Sequence, residues 1–342
     1  MQLHLNTYGL YLHVKDAMFD VRKKNEAGEW TNTQVAAHKV KSIWMHRGTA
    51  LSSDAVALAL QHNVDIVFLK SDGAPLGRVW HSKLGSTTRI RKCQLEATRD
   101  KRALTWVKTW LGQKLENQAA LIGALKKHRS QHEAYLDDKV LKIKDLQLKI
   151  AELDTDGWGA PMLGLEGTAG RLYFETLGYV LPPAWQFTGR SSRPARDPFN
   201  ALLNYAYGVL YARVEKALIL AGLDPYLGFM HRDDYNHKSL VYDFIEPYRA
   251  WADKTVFSLL AGKKTNQACF ETITGGVGLS AEGKKTLMHH YNEYLENEII
   301  RYKGRNRTRA SILLLDAHSF AQNLLIQESG LNEIHELEIS EM

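Results

Sequence analysis

The fold is decided by residues 200–249, which read NALLNYAYGVLYARVEKALILAGLDPYLGFMHRDDYNHKSLVYDFIEPYR. Apolar residues recur at helical spacing from Asn200 to Leu220, and this periodicity predicts a long helix with one buried side. Gly222 and Pro225 predict the end of that helix, because glycine accepts the left-handed cap and proline cannot continue a helix. Helical periodicity resumes from Leu240 to Ala252. The stretch therefore predicts two helices joined by an irregular segment.

Four side chains in and before this stretch form a candidate metal site. Asp243 and Glu246 are three residues apart on the second helix, which places both carboxylates on one face. His231 lies on the irregular segment, and Glu166 lies in an earlier helical stretch, LEGTAGRLYF. One imidazole with two or three carboxylates suits Mg²⁺ or Mn²⁺. Such a metal serves phosphodiester chemistry, because it neutralises phosphate oxygens and activates the attacking water or 3′-hydroxyl.

The residue types alone leave plainer alternatives open. A glutamate on a helix is usually a solvated charge, and a lone histidine such as His231 is more often at the surface or satisfied in the core. Asp243 and Glu246 also fit an exposed helix face, and Glu246 fits an ion pair with Arg249 three residues later. Without a wider comparison, the residues indicate a two-domain protein with an acidic metal site as one interpretation.

Composition places the chain among ordinary soluble globular proteins. It has 342 residues, of which 44% are hydrophobic and 24% charged, and a chain of this length favours two domains. No run of about 18 apolar residues predicts a membrane span, and the first residues do not resemble a secretory signal. Cys93 and Cys269 are far apart, which favours a reducing cytoplasm over a zinc ribbon. The net charge of +6 mildly favours a polyanionic partner.

The chain divides into a strand-rich part and a helical part. Residues 1–85 alternate in strand fashion, apart from one short helix in LSSDAVALALQHN that Ser52 or Ser53 is expected to cap. Composition changes near Gly85, and from Lys92 onward the pattern is almost wholly helical. The predicted fold class is α+β, with a small N-terminal β-domain (1–85) followed by a larger all-α catalytic domain (86–342).

Several stretches together resemble one family. They are LSSDAVALALQHNVDIVFLKSDGAPLGR, LEGTAGRLYF, DPFNALLNYAYGVL, AGLDPYLGFMHRDD and LVYDFIEPYR, and they occur in the family's order between Leu10 and Arg249. The family is the CRISPR-associated endonuclease/integrase of spacer acquisition, CRISPR-associated protein 1. The resemblance implies an N-terminal β-domain that dimerises and a helical catalytic domain. After about Val256, the likeness extends only to helical character.

The resemblance also assigns roles to residues. The family's metal triad is the Glu of an EG motif, the His of a GF-x-H motif and the acid that ends a D-x-x-E/D motif. The matching catalytic and metal-binding residues are Glu166, His231 and Glu246. Asp243 would lie beside them as a supporting residue or auxiliary ligand. Tyr207 and Tyr242 match aromatic residues near the DNA end, and Arg249 matches a basic residue close to the active site; core tyrosines on helix faces are the alternative for the first two.

The activity implied by the resemblance is divalent-metal-dependent DNA cleavage with Mg²⁺ or Mn²⁺. With the small partner CRISPR-associated protein 2, it becomes the insertion of short duplex fragments into repeat and leader DNA by 3′-hydroxyl transesterification. A homodimer is implied, and two such dimers would be bridged by a partner dimer. The first alternative is a structure-selective nuclease of branched DNA in repair. The second is a non-catalytic DNA-binding scaffold whose acids form salt bridges.

Three basic segments are candidates for phosphate contact, although a run of charges is most often a solvated face. The first has five cations within nine residues and a glycine that favours a loop or a helix end: Arg301, Lys303, Arg305, Arg307 and Arg309, with Gly304. The second is a loop before the long helix: Arg190, Arg193 and Arg196. The third lies at the domain junction: Arg78, Arg89 and Arg91.

Overall fold

The fold is seen in a computed structural model, which describes residues 1–24, 28–70, 73, 75–79, 87–154, 157–192, 194–231 and 237–328. The domain boundary predicted near Gly85 and the basic residue Arg193 lie outside these residues. No described helix combines the length and apolar character that a membrane crossing requires.

The described residues of the N-terminal region form two four-stranded sheets. Its strands are β1 (Gln2–Leu5), β2 (Tyr11–Lys15), β3 (Met18–Lys24), β4 (Trp30–Ala36), β5 (Ser42–Met45), β6 (Ala50–Leu51), β7 (Asp65–Leu69) and β8 (Pro75–Val79). One sheet has the order β1-β5-β7-β8, and the other has the order β4-β3-β2-β6. Helix α1 (Ser53–Gln61) connects the two sheets, and its first turn is capped by Ser52, whose Oγ accepts a hydrogen bond from the Ala55 amide at 3.1 Å. The predicted strands, helix and cap are confirmed.

The rest of the chain is mostly helical. Its helices are α2 (Thr87–Ala97), α3 (Lys101–Leu125), α4 (Glu133–Glu152), α5 (Gly159–Val180), α6 (Pro198–Leu220), α7 (Ser239–Phe244), α8 (Arg249–Ala261), α9 (Ala281–Asn292) and α10 (Arg309–Glu328). An N-terminal β-sheet region followed by a mostly helical domain is the fold class that the sequence predicted.

Helix α6 is the central element of the helical part. Its N-terminus is capped by Asp197, whose Oδ1 accepts a hydrogen bond from the Asn200 amide at 2.8 Å. The prediction of one buried side was wrong, because α6 is buried on most of its circumference. Helices α8, α9 and α10 all pack against it.

The helix predicted from Leu240 to Ala252 is interrupted. It ends as α7, passes through a 3-10 turn at Glu246–Tyr248, and restarts as α8. Pro247 explains the break, because proline has no amide hydrogen and its ring clashes with the carbonyl four residues earlier. The turn is held from α3 by Asn117, whose Nδ2 donates to the Pro247 carbonyl oxygen at 2.7 Å. Glu246 therefore begins a rigid turn instead of lying within a continuous helix.

Two β-hairpins occur where the sequence predicted only helix, loop or helix end. They are β9 (Phe270–Ile273) with β10 (Gly276–Leu279), and β11 (Ile299–Tyr302) with β12 (Arg305–Thr308). The second contains most of the first basic segment. Its two turn residues, Lys303 and Gly304, both have positive φ. Two-residue turns of this kind match the right-handed twist of the strands on either side.

The β-sheet region and the helical part are joined by buried charges. Asp65 on β7 accepts a hydrogen bond from Lys216 Nζ on α6 at 2.6 Å. The Arg78 side chain on β8 is only 9% exposed. One of its guanidinium nitrogens lies 3.7 Å from Asp65, and another donates to the Ala212 carbonyl at 2.8 Å. Arg78 was a candidate for DNA contact, and its burial instead gives it a structural role between the two regions.

Candidate active site

A cleft of about 940 Å³ runs beside α6. The predicted site residues Glu166, Tyr207, Tyr242 and Arg249 line it. A Cβ added at Gly167 or Gly170 would meet no atom within 4 Å, so the helix face next to Glu166 stays open to a ligand.

His231 is held in one orientation by Asp243. The imidazole Nδ1 lies 2.6 Å from Asp243 Oδ1, and the same carboxylate accepts the backbone amides of Phe229, Met230 and His231 at 2.6, 3.0 and 3.2 Å. With Nδ1–H donated to Asp243, Nε2 is the nitrogen that remains for a ligand. Burial lowers the His231 pKa, but the hydrogen bond and charge of Asp243 outweigh burial and raise it.

Gly228 explains why this arrangement needs the sequence GFMH. A Cβ at Gly228 would lie 2.5 Å from Ser239 Cβ and 2.9 Å from Asp243 Oδ2. Only glycine lets the segment approach α7 closely enough for Asp243 to collect its amides. Since those contacts use both oxygens of Asp243, the geometry favours a supporting role for it over the auxiliary ligand role.

Glu166 and Glu246 meet at a lysine that the sequence reasoning missed. Lys114 on α3 forms an ion pair with Glu166 Oε1, and its Nζ lies 2.6 Å from Glu246 Oε2. On the other side of Glu246, Arg249 Nε donates to Oε1 at 2.8 Å. A signal for Lys114 was present, because it falls at helical spacing among the buried apolar residues of α3.

The two cations keep Glu246 ionised although its side chain is only 4% exposed. Burial raises the pKa of this carboxyl, but Arg249 and Lys114 together lower it to about 2. For Lys114, burial lowers the pKa, and the carboxylates of Glu246 and Glu166 raise it above its ordinary value. The alternative of a Glu246–Arg249 ion pair is therefore realised, within a larger cluster of alternating charges.

The donor atoms fit a hard divalent cation. Two carboxylates and a neutral imidazole are the ligand types that Mg²⁺ and Mn²⁺ accept. Glu246 Oε2 is buried and has no hydrogen bond of good geometry from any described residue. The described residues contain no closed group of three His, Cys, Asp or Glu side chains around one point, because Lys114 stands between the two glutamates. A bound cation would take over the neutralisation that Lys114 provides.

Tyr207 and Tyr242 have different surroundings. Tyr207 is 7% exposed, and its hydroxyl donates to Asp253 Oδ1 at 2.7 Å, as expected for the core-tyrosine alternative. Its ring lies beneath the Arg249 guanidinium, 4.9 Å away, and the residue is part of the cleft lining. Tyr242 stacks on His237 with ring centroids 4.1 Å apart and lies 6.2 Å from His231. Contact with a DNA end remains a prediction for both, and the position of Tyr242 favours it more.

Asp253 gives a prediction about stability and pH. Burial raises its pKa to about 6, although it accepts hydrogen bonds from Tyr207 and Tyr173. Between pH 4 and pH 6, Asp253 holds a proton in the folded state that it has already lost in the unfolded state. The free energy of unfolding therefore falls as pH rises through that window, by up to about 3 kcal/mol. We expect Asp253→Asn to gain stability relative to wild type between pH 4 and pH 6.5, measured by urea unfolding. An equal difference at both pH values would contradict this expectation.

Comparison with known proteins identifies the family. A sequence model described as CRISPR associated protein Cas1 matches residues 3–293. The chain belongs to the Cas1 family. A relative named CRISPR-associated endonuclease Cas1 1, from Archaeoglobus fulgidus, is 33% identical over 331 residues, which cover 93% of this chain and 94% of the relative. The resemblance carried by the motifs is thereby confirmed, and the chain is a member of a family of CRISPR-associated endonucleases.

Solved structures share the fold over nearly the whole chain. A casposase bound to its integration product superposes with a TM-score of 0.81 at 23% identity, covering 100% of this chain and 96% of that one. A chain of a Cas6-RT-Cas1–Cas2 complex gives a TM-score of 0.76 at 21% identity, covering 99% of this chain and 36% of that longer chain. At these identities, the likeness establishes the fold.

Proposed function

We propose that this protein is a divalent-metal-dependent DNA endonuclease and integrase that inserts short DNA fragments into a CRISPR array. Family membership supports the class of reaction. The observation that carries the proposal is the His231–Asp243 pair, which leaves the imidazole Nε2 for a ligand. The charge of Glu246, which is paired with Glu166 through Lys114, also acts on His231 and favours a raised pKa for its imidazole. Mg²⁺ or Mn²⁺ would be held by Glu166, His231 and Glu246.

In the proposed reaction, the 3′-hydroxyl of the incoming fragment attacks a phosphorus atom of the repeat DNA. The new P–O bond forms as the bond to the repeat's own 3′-oxygen breaks, and that oxygen leaves with a proton, so no nucleoside triphosphate is consumed. The metal, when bound, neutralises the phosphate oxygens and favours the ionised hydroxyl. Asp243 fixes the imidazole tautomer, and Arg249 keeps Glu246 ionised. Tyr242 would guide the unpaired DNA end by stacking.

The proposed assembly uses a second protein. One similar structure is a complex that contains Cas2, and another is a casposase bound to an integration product. We propose that this chain likewise acts on DNA with a Cas2-type partner, as a homodimer formed through the β-sheet region. Two such dimers bridged by a partner dimer would form the full complex.

Strand joining into a plasmid tests the function. The substrate is a supercoiled plasmid with a repeat, mixed with short duplex DNA that has free 3′ ends, the small partner and Mn²⁺ or Mg²⁺. Metal-dependent joining of the fragment supports the integrase. Nicking without joining would support a branched-DNA nuclease instead, and DNA binding without any metal-dependent chemistry would support a scaffold.

Lys114 gives a prediction about metal binding that needs no activity assay. Lys114 and the metal would neutralise the same carboxylates, so the lysine ammonium would repel a bound cation. Unit charges about 4 Å apart interact by about 4 kcal/mol in a protein environment. Replacing Lys114 with Met removes this repulsion and should tighten Mn²⁺ binding by at least about tenfold. Without metal, the variant should melt at a lower temperature than wild type, and Mn²⁺ should raise its melting temperature by more. Titration calorimetry and thermal melts measure both effects.

The matched control is Lys108→Met, which changes a partly exposed lysine of the same helix whose Nζ donates to the Ala151 carbonyl. Weaker Mn²⁺ binding in Lys114→Met than in wild type would show that lysine and metal do not share a site.

A further inference from the structure

The hairpin of β11 and β12, here called the basic ribbon (residues 299–308), contains cations that the candidate active site does not use. Arg301, Arg305 and Arg307 have no ion-pair partner among the described residues, and the Lys303 side chain is 66% exposed although it lies 3.4 Å from Asp316. Arg309 differs, because it is buried, paired with Glu298 and stacked on Tyr294. The basic segment found in the sequence therefore separates into a structural arginine and a free cationic hairpin.

The strand register shows which face of the basic ribbon is free. Arg301 pairs with Asn306 and Tyr302 pairs with Arg305, so these two pairs lie on opposite faces. The face with Tyr302 and Ile300 packs against the helical core. The other face is exposed at Arg301, Asn306 and Ile299, the last with 66% exposure. Arg301 is exposed on this outer face, and Lys303 is exposed in the turn. Arg305 shares the face of Tyr302 but lies next to the turn, where it is also exposed.

A single carboxylate fixes the basic ribbon relative to the candidate active site. Asp316 on α10 accepts a hydrogen bond from the Tyr302 hydroxyl at 2.7 Å and another from the Tyr248 hydroxyl at 2.8 Å. Tyr248 belongs to the same 3-10 turn as Glu246. Asp316 therefore connects the ribbon by two hydrogen bonds to the turn that carries a proposed metal ligand.

We propose that the basic ribbon binds the phosphate backbone of duplex DNA beside the phosphate that reacts. A two-stranded ribbon has a width that fits the major groove. Arg301 and Arg305 are exposed and have no ion-pair partner among the described residues, and the largely exposed Lys303 adds a third cation at the tip, so this surface suits a polyanion. The link through Asp316 relates this second contact to the proposed site of chemistry. The inference rests on the proposed function in that the DNA is also the substrate, and it adds a contact outside the cleft.

Binding measurements on charge variants test the proposal. The variant Arg301→Ala/Arg305→Ala removes two exposed cations, and the control Lys127→Ala/Lys144→Ala removes two exposed cations from elsewhere on the helical part. Fluorescence anisotropy of a labelled duplex, repeated over a series of NaCl concentrations, gives Kd and its salt dependence. For the ribbon variant, we expect Kd to rise by about tenfold or more at 0.1 M salt. The slope of the logarithm of the binding constant against the logarithm of the salt concentration should fall in magnitude by about 2. Equal Kd values and slopes in wild type and the ribbon variant would overturn the proposal.

Cross-linking tests the position of the DNA independently. Cys93 and Cys269 are 0% and 2% exposed, so a cysteine introduced by Asn306→Cys at the ribbon is the accessible thiol for a maleimide photo-cross-linker. We expect this variant to cross-link to labelled duplex, with loss of the product when Arg301→Ala/Arg305→Ala is added; Lys144→Cys is the control. Cross-linking no stronger than in the control, or only to an added partner protein, would refute DNA binding here. Because both tests measure binding, they report on the ribbon whether or not strand joining is observed.

Discussion

Replacing His231 with alanine is expected to lower metal-dependent strand joining by at least about a hundredfold. The imidazole is the proposed nitrogen ligand of the metal, and loss of a residue that merely orients such a ligand already costs about 10- to 100-fold. Mn²⁺ affinity, measured by the paramagnetic resonance of free Mn²⁺, should fall in parallel. The His231 side chain is 30% exposed, so its removal should leave the melting temperature close to that of wild type.

Two neighbouring variants make this result specific. Asp243→Asn should reduce joining by about 10- to 100-fold, because it weakens the contact that holds the imidazole tautomer. His237→Ala removes an imidazole that stacks on Tyr242 without any proposed ligand role, and it should retain Mn²⁺ affinity. If His231→Ala binds Mn²⁺ as tightly as wild type, the proposed ligand set is incorrect.

Replacing Glu246 with glutamine is expected to have the largest effect on stability. The change removes the negative charge between Lys114 and Arg249, which are both largely buried. Lys114 would keep only its ion pair with Glu166, and Arg249 would lose its one ion-pair partner among the described residues. Removing one partner of a buried ion pair costs about 3–5 kcal/mol. Urea unfolding in the absence of metal should show a loss of this size, and metal-dependent joining should be lost as well because a ligand is missing.

A double variant separates the charge effect from packing. Adding Lys114→Met to Glu246→Gln removes one of the two buried cations that Glu246 had neutralised, so part of the lost stability should return, with a coupling energy of about 0.5–3 kcal/mol. Glu116→Gln, an exposed change on α3, is the matched control and should be nearly neutral. Strict additivity of the two single changes would mean that Lys114 and Glu246 do not interact in solution.

Local sequence rules were sufficient for much of the fold. Helix-capping residues and helix-ending glycines act over one or two helical turns, so they can be recognised in the sequence. Ser52 located the start of α1, and Gly222 located the end of α6. The GFMH and D-x-x-E spacings likewise brought His231 and Asp243 into consideration, and the structure joins these two side chains directly. The two hairpins were missed because the sequence pattern of this region was interpreted as helical. In the second hairpin, Gly304 was taken as the site of a loop or a helix end and not as part of a hairpin turn.

What the sequence by itself determined was the order of the elements, the fold class and the chemical types of the proposed ligands. Only the tertiary structure decided that Lys114 meets Glu166, 52 residues away, and that Tyr207 points its hydroxyl at Asp253 and not into the cleft. The structure also separated Arg309 from the exposed cations of the basic ribbon. The physical reason is that partners on different helices are chosen by packing and by the need to neutralise buried charge, and neither requirement is visible in the spacing of residues along one element.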